Sequence, residues 1–366
     1  MRLHLVGGFL GSGKSTAILQ AAQILVNRGR KVGIVTNEQG KHLVDTAYFQ
    51  ALNLPALEVT GGCICCHLDD FNERVDDLVA KYQPDVIFAE SVGSCADLVA
   101  TVLKPLLKLR VDFENPASLS VFADARLLYR FLKDMEMPFS DEVIYIFQKQ
   151  LEEAELIVIN KVDLLKDAQT VEIQALAGQR FPGKTFRLQN SLAREQVEDW
   201  LALLASDESP MPQEVLDIDY DRYAAGEAHF SWVDREFRLS LKAAQDWATV
   251  GDCVEVLCRE FSGPQYRVAH LKMLLDDGET RLKCNLTALD HYEEKLAQFR
   301  DAIRKMHALE ASLRINVMLE APLQSVEDNL DKIIRTEFND ADVDFRQLSG
   351  FTRVPGYPKP TMRMIN

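Results

Sequence analysis

Residues Gly8-Phe9-Leu10-Gly11-Ser12-Gly13-Lys14-Ser15-Thr16 follow the apolar run Leu3-His4-Leu5-Val6 and precede Ala17 to Leu25, where apolar residues recur near a 3.6 period. The pattern is a strand, a glycine-rich loop and the opening of a helix. Gly8, Gly11, Ser12 and Gly13 are small enough for successive backbone N–H groups to turn toward one anion. Lys14 adds a point charge, Ser15 a hydroxyl able to ligate magnesium, and Thr16 lies in the first helical turn, where phosphate is favoured. The segment is a phosphate cradle, a P-loop, and the chain is expected to bind a nucleoside triphosphate.

Such a loop needs a sheet to carry it. Strand-like segments at Lys31–Thr36, Ala56–Thr60, Asp85–Ala89, Ser118–Ala123, Leu156–Ile159 and Thr185–Leu188 alternate with helix candidates at Phe71–Tyr82, Asp97–Leu109, Glu142–Glu153 and Arg194–Leu204. Alternation of this kind implies βαβ units, a mostly parallel sheet with helices on both faces, and ligands at the carboxyl ends of the strands. The expected fold class is therefore α/β, a P-loop NTPase over residues 1–205, joined by a polar linker at 206–226 to a smaller C-terminal α+β domain at 227–366. In that second part, Leu271, Met273 and Leu275 alternate up to an Asp277-Gly278 turn, with Leu282, Cys284 and Leu286 alternating after it. Leu313 to Leu319 forms another half-buried strand, and Trp247–Phe261 and Val326–Phe338 are helical, with a ferredoxin-like arrangement as the candidate. Gly350 to Lys359 is expected to be an extended tail packed on that domain, with a partner-binding arm as the alternative.

The net charge of −15, with no Lys/Arg block, argues against nucleic acid or an anionic membrane as partner. No run of about 20 apolar residues exists, so a cytoplasmic location is expected. Seven cysteines, three of them within four positions, fit reduced thiols better than a disulfide framework.

Asn160-Lys161-Val162-Asp163 ends the apolar strand Leu156–Ile159. Asp163 can accept from the N1 and amino groups of guanine, a pattern adenine lacks, while Asn160 and Lys161 brace the loop and Ser191 backs the base. Glu90 and Asp124 compete for a strand-end magnesium role. Glu90 is favoured because Gly93, three residues on, lets a backbone N–H approach the γ-phosphate, and Asp124 is read as a cap or brace. Glu38, after the second strand, is a third carboxylate for the attacking water, a magnesium-bound water or a second metal. Lys14, Glu38 and Glu90 are the expected catalytic set.

Gly61-Gly62-Cys63-Ile64-Cys65-Cys66 places three thiols where they can converge on one soft or borderline metal ion, with a redox pair and buried thiols as the alternatives. A tetrahedral site is then one ligand short, and Glu38, His67, Cys95 or a partner's side chain could complete it. An incomplete site suits transfer. Cys253, Cys258 and Cys284 fall on apolar faces and read as core.

The ordered set GFLGSGKST, NEQG, GGCICC, Glu90-x-x-Gly93 and NKVD resembles the CobW family of P-loop GTPases, relatives of the hydrogenase and urease maturation GTPases. The resemblance implies a GTPase that uses GTP and magnesium, binds zinc or cobalt at Cys63, Cys65 and Cys66, and couples nucleotide state to metal delivery or metallocofactor maturation. The family's phosphate, magnesium and base roles carry over to Lys14, Ser15, Glu90, Asn160, Lys161 and Asp163. The implied partner is a client metalloprotein or cofactor enzyme, and a homodimer is a further expectation. Where family members commonly carry a Thr-rich segment ending in Leu-Ala-Asp-Pro, this chain has Ser91-Val92-Gly93-Ser94-Cys95-Ala96-Asp97. Two other readings stand beside the first: a GTP-dependent activation or repair factor for a cofactor enzyme, such as a corrinoid protein, with structural cysteines, and a nucleotide-binding thiol sensor of metal or redox state.

Overall fold

A computed structural model describes residues 1–37, 44–110, 118–206, 215–339 and 343–365. The described residues group into two compact units, one drawn from those within 1–37, 45–226 and 357–365, the other chiefly from those within 227–356.

In the first unit, strands β1 (Arg2–Gly8), β2 (Val32–Asn37), β3 (Ala56–Val59), β4 (Val86–Glu90), β5 (Ser118–Asp124), β6 (Leu156–Asn160) and β7 (Thr185–Gln189) form one sheet in the order β3-β2-β4-β1-β5-β6-β7. Every pairing is parallel. Helices cover both faces of such a sheet, so its inner strands read as unbroken apolar runs rather than alternating ones. Accordingly, β5 and β6 are buried at every position. The helices of this unit are α1 (Lys14–Asn27), α2 (Val44–Ala51), α3 (Leu68–Tyr82), α4 (Lys104–Leu109), α5 (Ala125–Leu132), α6 (Asp141–Glu153), α7 (Asp167–Arg180), α8 (Arg194–Ala205) and α9 (Tyr220–Ala228). On α8, fully buried Trp200 meets the Phe122 ring edge-on at 5.2 Å and donates its indole N–H to Ser120, locking that helix to β5. Parallel strands all end on one edge of the sheet, so Gly8, Asn37, Val59, Glu90, Asp124 and Asn160 arrive together.

Three expectations differ from the structure here. The segment expected as one helix over Asp97–Leu109 starts in a left-handed turn at Asp97 (φ 65°), makes a π-helical turn over Val99–Leu103, and becomes α-helical only at Lys104. Pro105 has no N–H for the preceding turn, which favours the irregular start. The stretch expected as a linker contains α9: Asp219 caps it by accepting from the N–H groups of Asp221 and Arg222, and Tyr223 buries against Ala96 and Ile146. The first unit therefore extends to Gly226. It also takes up residues 357–365, which were expected to pack with the C-terminal domain.

The second unit has a five-stranded antiparallel sheet in the order β10-β9-β11-β8-β12, from β8 (Phe230–Ser240), β9 (Arg267–Asp276), β10 (Arg281–Leu286), β11 (Glu310–Glu320) and β12 (Asp344–Arg353). Helices α10 (Trp247–Phe261), α11 (Tyr292–Ile303) and α12 (Leu323–Asn339) contribute to its core. The run β8-α10-β9-β10-α11-β11 follows the βαββαβ element series of ferredoxin-like units, but its last strand, β11, lies between β8 and β9, where such units place the third strand. The sheet order therefore differs from the ferredoxin-like arrangement expected; a helix and a fifth strand, β12 beside β8, extend it. Cys253, Cys258 and Cys284 lie in that core.

Candidate functional site

The loop after β1 is shaped by backbone rather than by side chains. Gly8, Gly11 and Gly13 all have positive φ, at 124°, 72° and 90°. A Cβ on Gly8 would strike the backbone of Phe122, and one on Gly13 would strike the Asn160 amide, so neither position accepts a larger residue. Lys14, buried at the start of α1, donates from Nζ to the carbonyls of Gly8 (2.8 Å) and Phe9 (3.4 Å). Ser12 Oγ is buried without a hydrogen-bond partner among the described residues. Thr16 lies in the first turn of α1.

Ser15 Oγ lies 3.0 Å from Asp45 Oδ2 and 3.0 Å from Glu90 Oε1. Two carboxylates and a hydroxyl converging beside a phosphate loop form an oxygen set suited to a hard divalent cation. Gly93, just beyond Glu90, packs against Leu10 of the loop, where a Cβ would clash, and its carbonyl accepts from Gln150 at 3.0 Å.

Asn160 ties the base-side motif to the phosphate loop: its Nδ2 donates to the Ser12 carbonyl at 2.8 Å, and its Oδ1 accepts from both the N–H and the hydroxyl of Ser191. Ser191 thus sits buried behind Asn160. Lys161 adopts left-handed backbone (φ 62°) and pairs with Asp124 Oδ2 at 2.9 Å. Burial works against an ionised Asp124, but Lys161 and Arg126 outweigh it and hold its carboxyl down to about 2. Asp124 also accepts from the Arg126 N–H at the start of α5, so it is the brace expected rather than a magnesium ligand. Asp163 is exposed on the short helical turn Val162–Leu164, with its carboxylate in solvent.

The three thiols converge. Cys63 Sγ and Cys66 Sγ are 3.2 Å apart, Cys65 Sγ and Cys66 Sγ 3.8 Å, and all three fall within 4.8 Å of one another. Ligands about 2.3 Å from a tetrahedral zinc lie about 3.8 Å apart, so the cluster has the spacing of a thiolate metal site. Cys95, fully buried, stands 3.6 Å from Cys65. The Cys63 hydrogen bond, with burial adding to it, pushes the Cys66 thiol up to about 11, and the neighbouring thiols push Cys65 well above its ordinary value. Thiolates there need a cation to compensate them. His67 is not drawn in: its Nδ1 lies 3.4 Å from Asp70, and its Nε2 packs against Gly62.

The description "CobW/HypB/UreG, nucleotide-binding domain" fits residues 2–188 of this sequence, just over half of it. The chain belongs to the CobW/HypB/UreG family. Over 183 residues it is 30% identical to the zinc chaperone CobW of Sinorhizobium sp, covering 44% of this chain and 51% of that protein. Over 172 residues it is 33% identical to the zinc chaperone YeiR of Escherichia coli K12, covering 44% and 47%. The chain thus spans about half the length of the curated relatives it matches. Zn(II)-bound YjiA GTPase from E. coli aligns over 93% of this chain and 98% of its own at 16% identity, with a TM-score of 0.37, too loose a likeness to bear on the site.

In this CobW/HypB/UreG chain two site residues escape a reading of the sequence. Asp45 opens α2 thirty residues after Ser15, with no fixed spacing to the P-loop. Asn37, 1% exposed at the end of β2, donates from Nδ2 to the carbonyls of Val59 (3.1 Å) and Gly62 (2.7 Å) and accepts at Oδ1 from the N–H groups of Ile64 (2.8 Å) and Val92 (3.4 Å). One side chain thereby joins the cysteine loop to the segment after Glu90. Its position directly before Glu38 was the available signal. Glu38 itself lies outside the described residues. No helix among the described residues is long and apolar enough to cross a membrane.

Proposed function

We propose that this chain is a GTP-hydrolysing metallochaperone in which nucleotide state governs a thiolate metal site. The observation that carries the reading is Asn37, whose hydrogen bonds fasten the Cys63–Cys66 loop to the Glu90–Gly93 segment beside the phosphate loop. Cys95 supports it, because that thiol rides on the same segment and touches Cys65.

In this account the loop N–H groups and Lys14 hold the phosphates, Asp163 selects guanine, and Asn160 keeps the two motifs in register. Ser15, Asp45 and Glu90 would hold magnesium, which supplies positive charge to the β- and γ-phosphate oxygens. Glu38 is proposed to act on the attacking water. Loss of the γ-phosphate relaxes the segment through Gly93, and the movement reaches the thiols along two routes: the Val92–Asn37–Ile64 hydrogen bonds and the Cys95–Cys65 contact. The metal is cargo. Cys63, Cys65 and Cys66 bind it, Cys95 serves as a fourth ligand in one state, and a site that changes from four ligands to three releases its ion to a client. Zinc is the favoured cargo because both curated relatives are zinc chaperones, with cobalt the alternative on the same donors.

Cobalt titration of reduced protein tests the cargo site. The full chain should bind one ion with thiolate charge-transfer absorption, and Cys65→Ser should abolish that absorption while GTP hydrolysis without metal persists. A Cys65→Ser protein that keeps the absorption contradicts the assignment.

A further inference from the structure

The closing segment of the first unit bears on the thiols from outside the cysteine motif. Tyr357-Pro358-Lys359-Pro360-Thr361 is held extended by its prolines, since a residue before proline is driven out of the helical region. Pro358 and Pro360 have no N–H, which leaves Lys359 the single backbone donor of that triplet. That N–H points at Cys66 Sγ, 3.3 Å away. Two residues on, the Thr361 N–H donates to the Cys65 carbonyl at 2.9 Å and its hydroxyl to the Cys66 carbonyl at 3.0 Å.

The segment is anchored beyond these contacts. Arg363 Nε donates to Asp97 Oδ2 at 2.6 Å, and its other guanidinium nitrogen reaches the Leu216 carbonyl at 2.9 Å. The Met364 N–H donates to the Ala100 carbonyl at 2.9 Å. Pro105, five residues after Ala100, has no N–H with which to claim that carbonyl, so the π-helical turn leaves an acceptor for the segment. Asp97 also accepts from the Tyr220 hydroxyl, so both ends of the contact rest on buried or half-buried groups.

We infer that residues 359–364 are an outer shell of the thiol metal site, with Lys359 and Thr361 as positioning residues that orient Cys66 and Cys65 through backbone hydrogen bonds. The Lys359 N–H aimed at sulfur fixes the direction of the Cys66 Sγ, and the Thr361 bonds to the two cysteine carbonyls hold the backbone that carries both thiols. Cys66 is the least buried of the three thiols, hence the one whose geometry most needs an outside hold. Outer-shell partners of this kind are worth about 10- to 100-fold in metal affinity. The segment also adds a lever on the cargo: whatever displaces it loosens two ligands at once.

The inference rests on the proposed cargo site, and the experiment separates the two. Cobalt dissociation constants and the thiolate charge-transfer spectrum are measured for the full chain and for Lys359→Pro, Lys359→Ala and Thr361→Pro, with the metal-free unfolding midpoint recorded for each. Lys359→Pro deletes the backbone donor to sulfur together with the side-chain charge, while Lys359→Ala removes the charge and keeps the donor, so the difference between the two isolates the N–H. The expected result is affinity about 10- to 100-fold weaker, with a shifted spectrum, for both proline variants, and affinity within about twofold of the parent for Lys359→Ala. Arg363→Ala, which touches no cysteine, should weaken cobalt binding by a smaller factor and stands in should a proline variant not fold. Parent-like cobalt binding by the proline variants, or by Arg363→Ala in their place, overturns this inference alone. A parent chain that binds no cobalt overturns the cargo site and this inference together.

Discussion

Replacing Asn37 should weaken the coupling between the two halves of the site. In Asn37→Ala the Gly62 carbonyl, the Ile64 N–H and the side-chain bond to the Val59 carbonyl lose their partner, in a setting where Ile64 is fully buried. At about 1 kcal/mol net per bond, and more for a group left buried and unsatisfied, the cost is about 3 kcal/mol, or roughly 6–12 °C in melting temperature for a unit of this size. Asn37→Asp should be worse than Ala, because a carboxylate oxygen would face the Val59 and Gly62 carbonyls that Nδ2 now satisfies. Urea unfolding reads the first effect. Zinc titration with GDP and with a non-hydrolysable GTP analogue reads the second, where the nucleotide-dependent difference in zinc affinity should shrink to what the Cys95–Cys65 contact alone carries, while zinc still binds. A variant within about 0.5 kcal/mol of the parent and with coupling intact would refute the role given to Asn37.

Three further outcomes follow from other parts of the same unit. Asp45→Ala should slow GTP hydrolysis at least about 10-fold, a loss of about 1.4 kcal/mol or more in transition-state stabilisation, and raise the magnesium needed for half-maximal rate; an unchanged magnesium dependence would remove Asp45 from the site. Burial, with the Asp97 charge adding to it, pushes fully buried Glu153 up to about 8. Unfolded glutamate ionises near 4.3, so the folded state holds the extra proton between those values, and stability present below about pH 4 is lost as the pH rises toward 8. Glu153→Gln keeps an acceptor for the Val99 N–H and should flatten that decline in urea unfolding at pH 5 and 8; a parallel decline would contradict it. Asp124 has the opposite sign: held at about 2, it stabilises above about pH 3.9 and loses that contribution as the pH falls toward 2. Asp124→Asn should cost about 2–3 kcal/mol at pH 7 and show a shallower acid transition by circular dichroism.

What the sequence displays well is whatever is local and periodic. The P-loop is legible because three glycines, a lysine and a serine must sit within nine residues, and the parallel sheet because doubly covered strands such as β6 are unbroken apolar runs. The thiol cluster is legible for the same reason. Asp45 and Asn37 were not, since a carboxylate or amide gains its role from which strand ends the sheet brings side by side, and β2 neighbours β4 only through a crossover. The helix α9 was hidden by the acidic residues before it, although Tyr220 and Tyr223 at helical spacing were the sign of a buried face. Residues 359–364 lie nearly three hundred positions from the cysteines they contact. Their prolines announce an extended segment, but no local pattern names its partner. Cys95 is an intermediate case: its position after Glu90 suggested the metal site, and its 3.6 Å approach to Cys65 gives that suggestion a geometry.

The central claim is that nucleotide state and cargo affinity are coupled through Asn37 and Cys95. It is tested most directly by measuring the zinc dissociation constant of the reduced full chain by chelator competition, with magnesium and GDP and again with magnesium and a non-hydrolysable GTP analogue. The account predicts constants that differ by about 5- to 150-fold, a coupling of about 1–3 kcal/mol, with the difference reduced in Cys95→Ala. Equal constants in the two nucleotide states would contradict it.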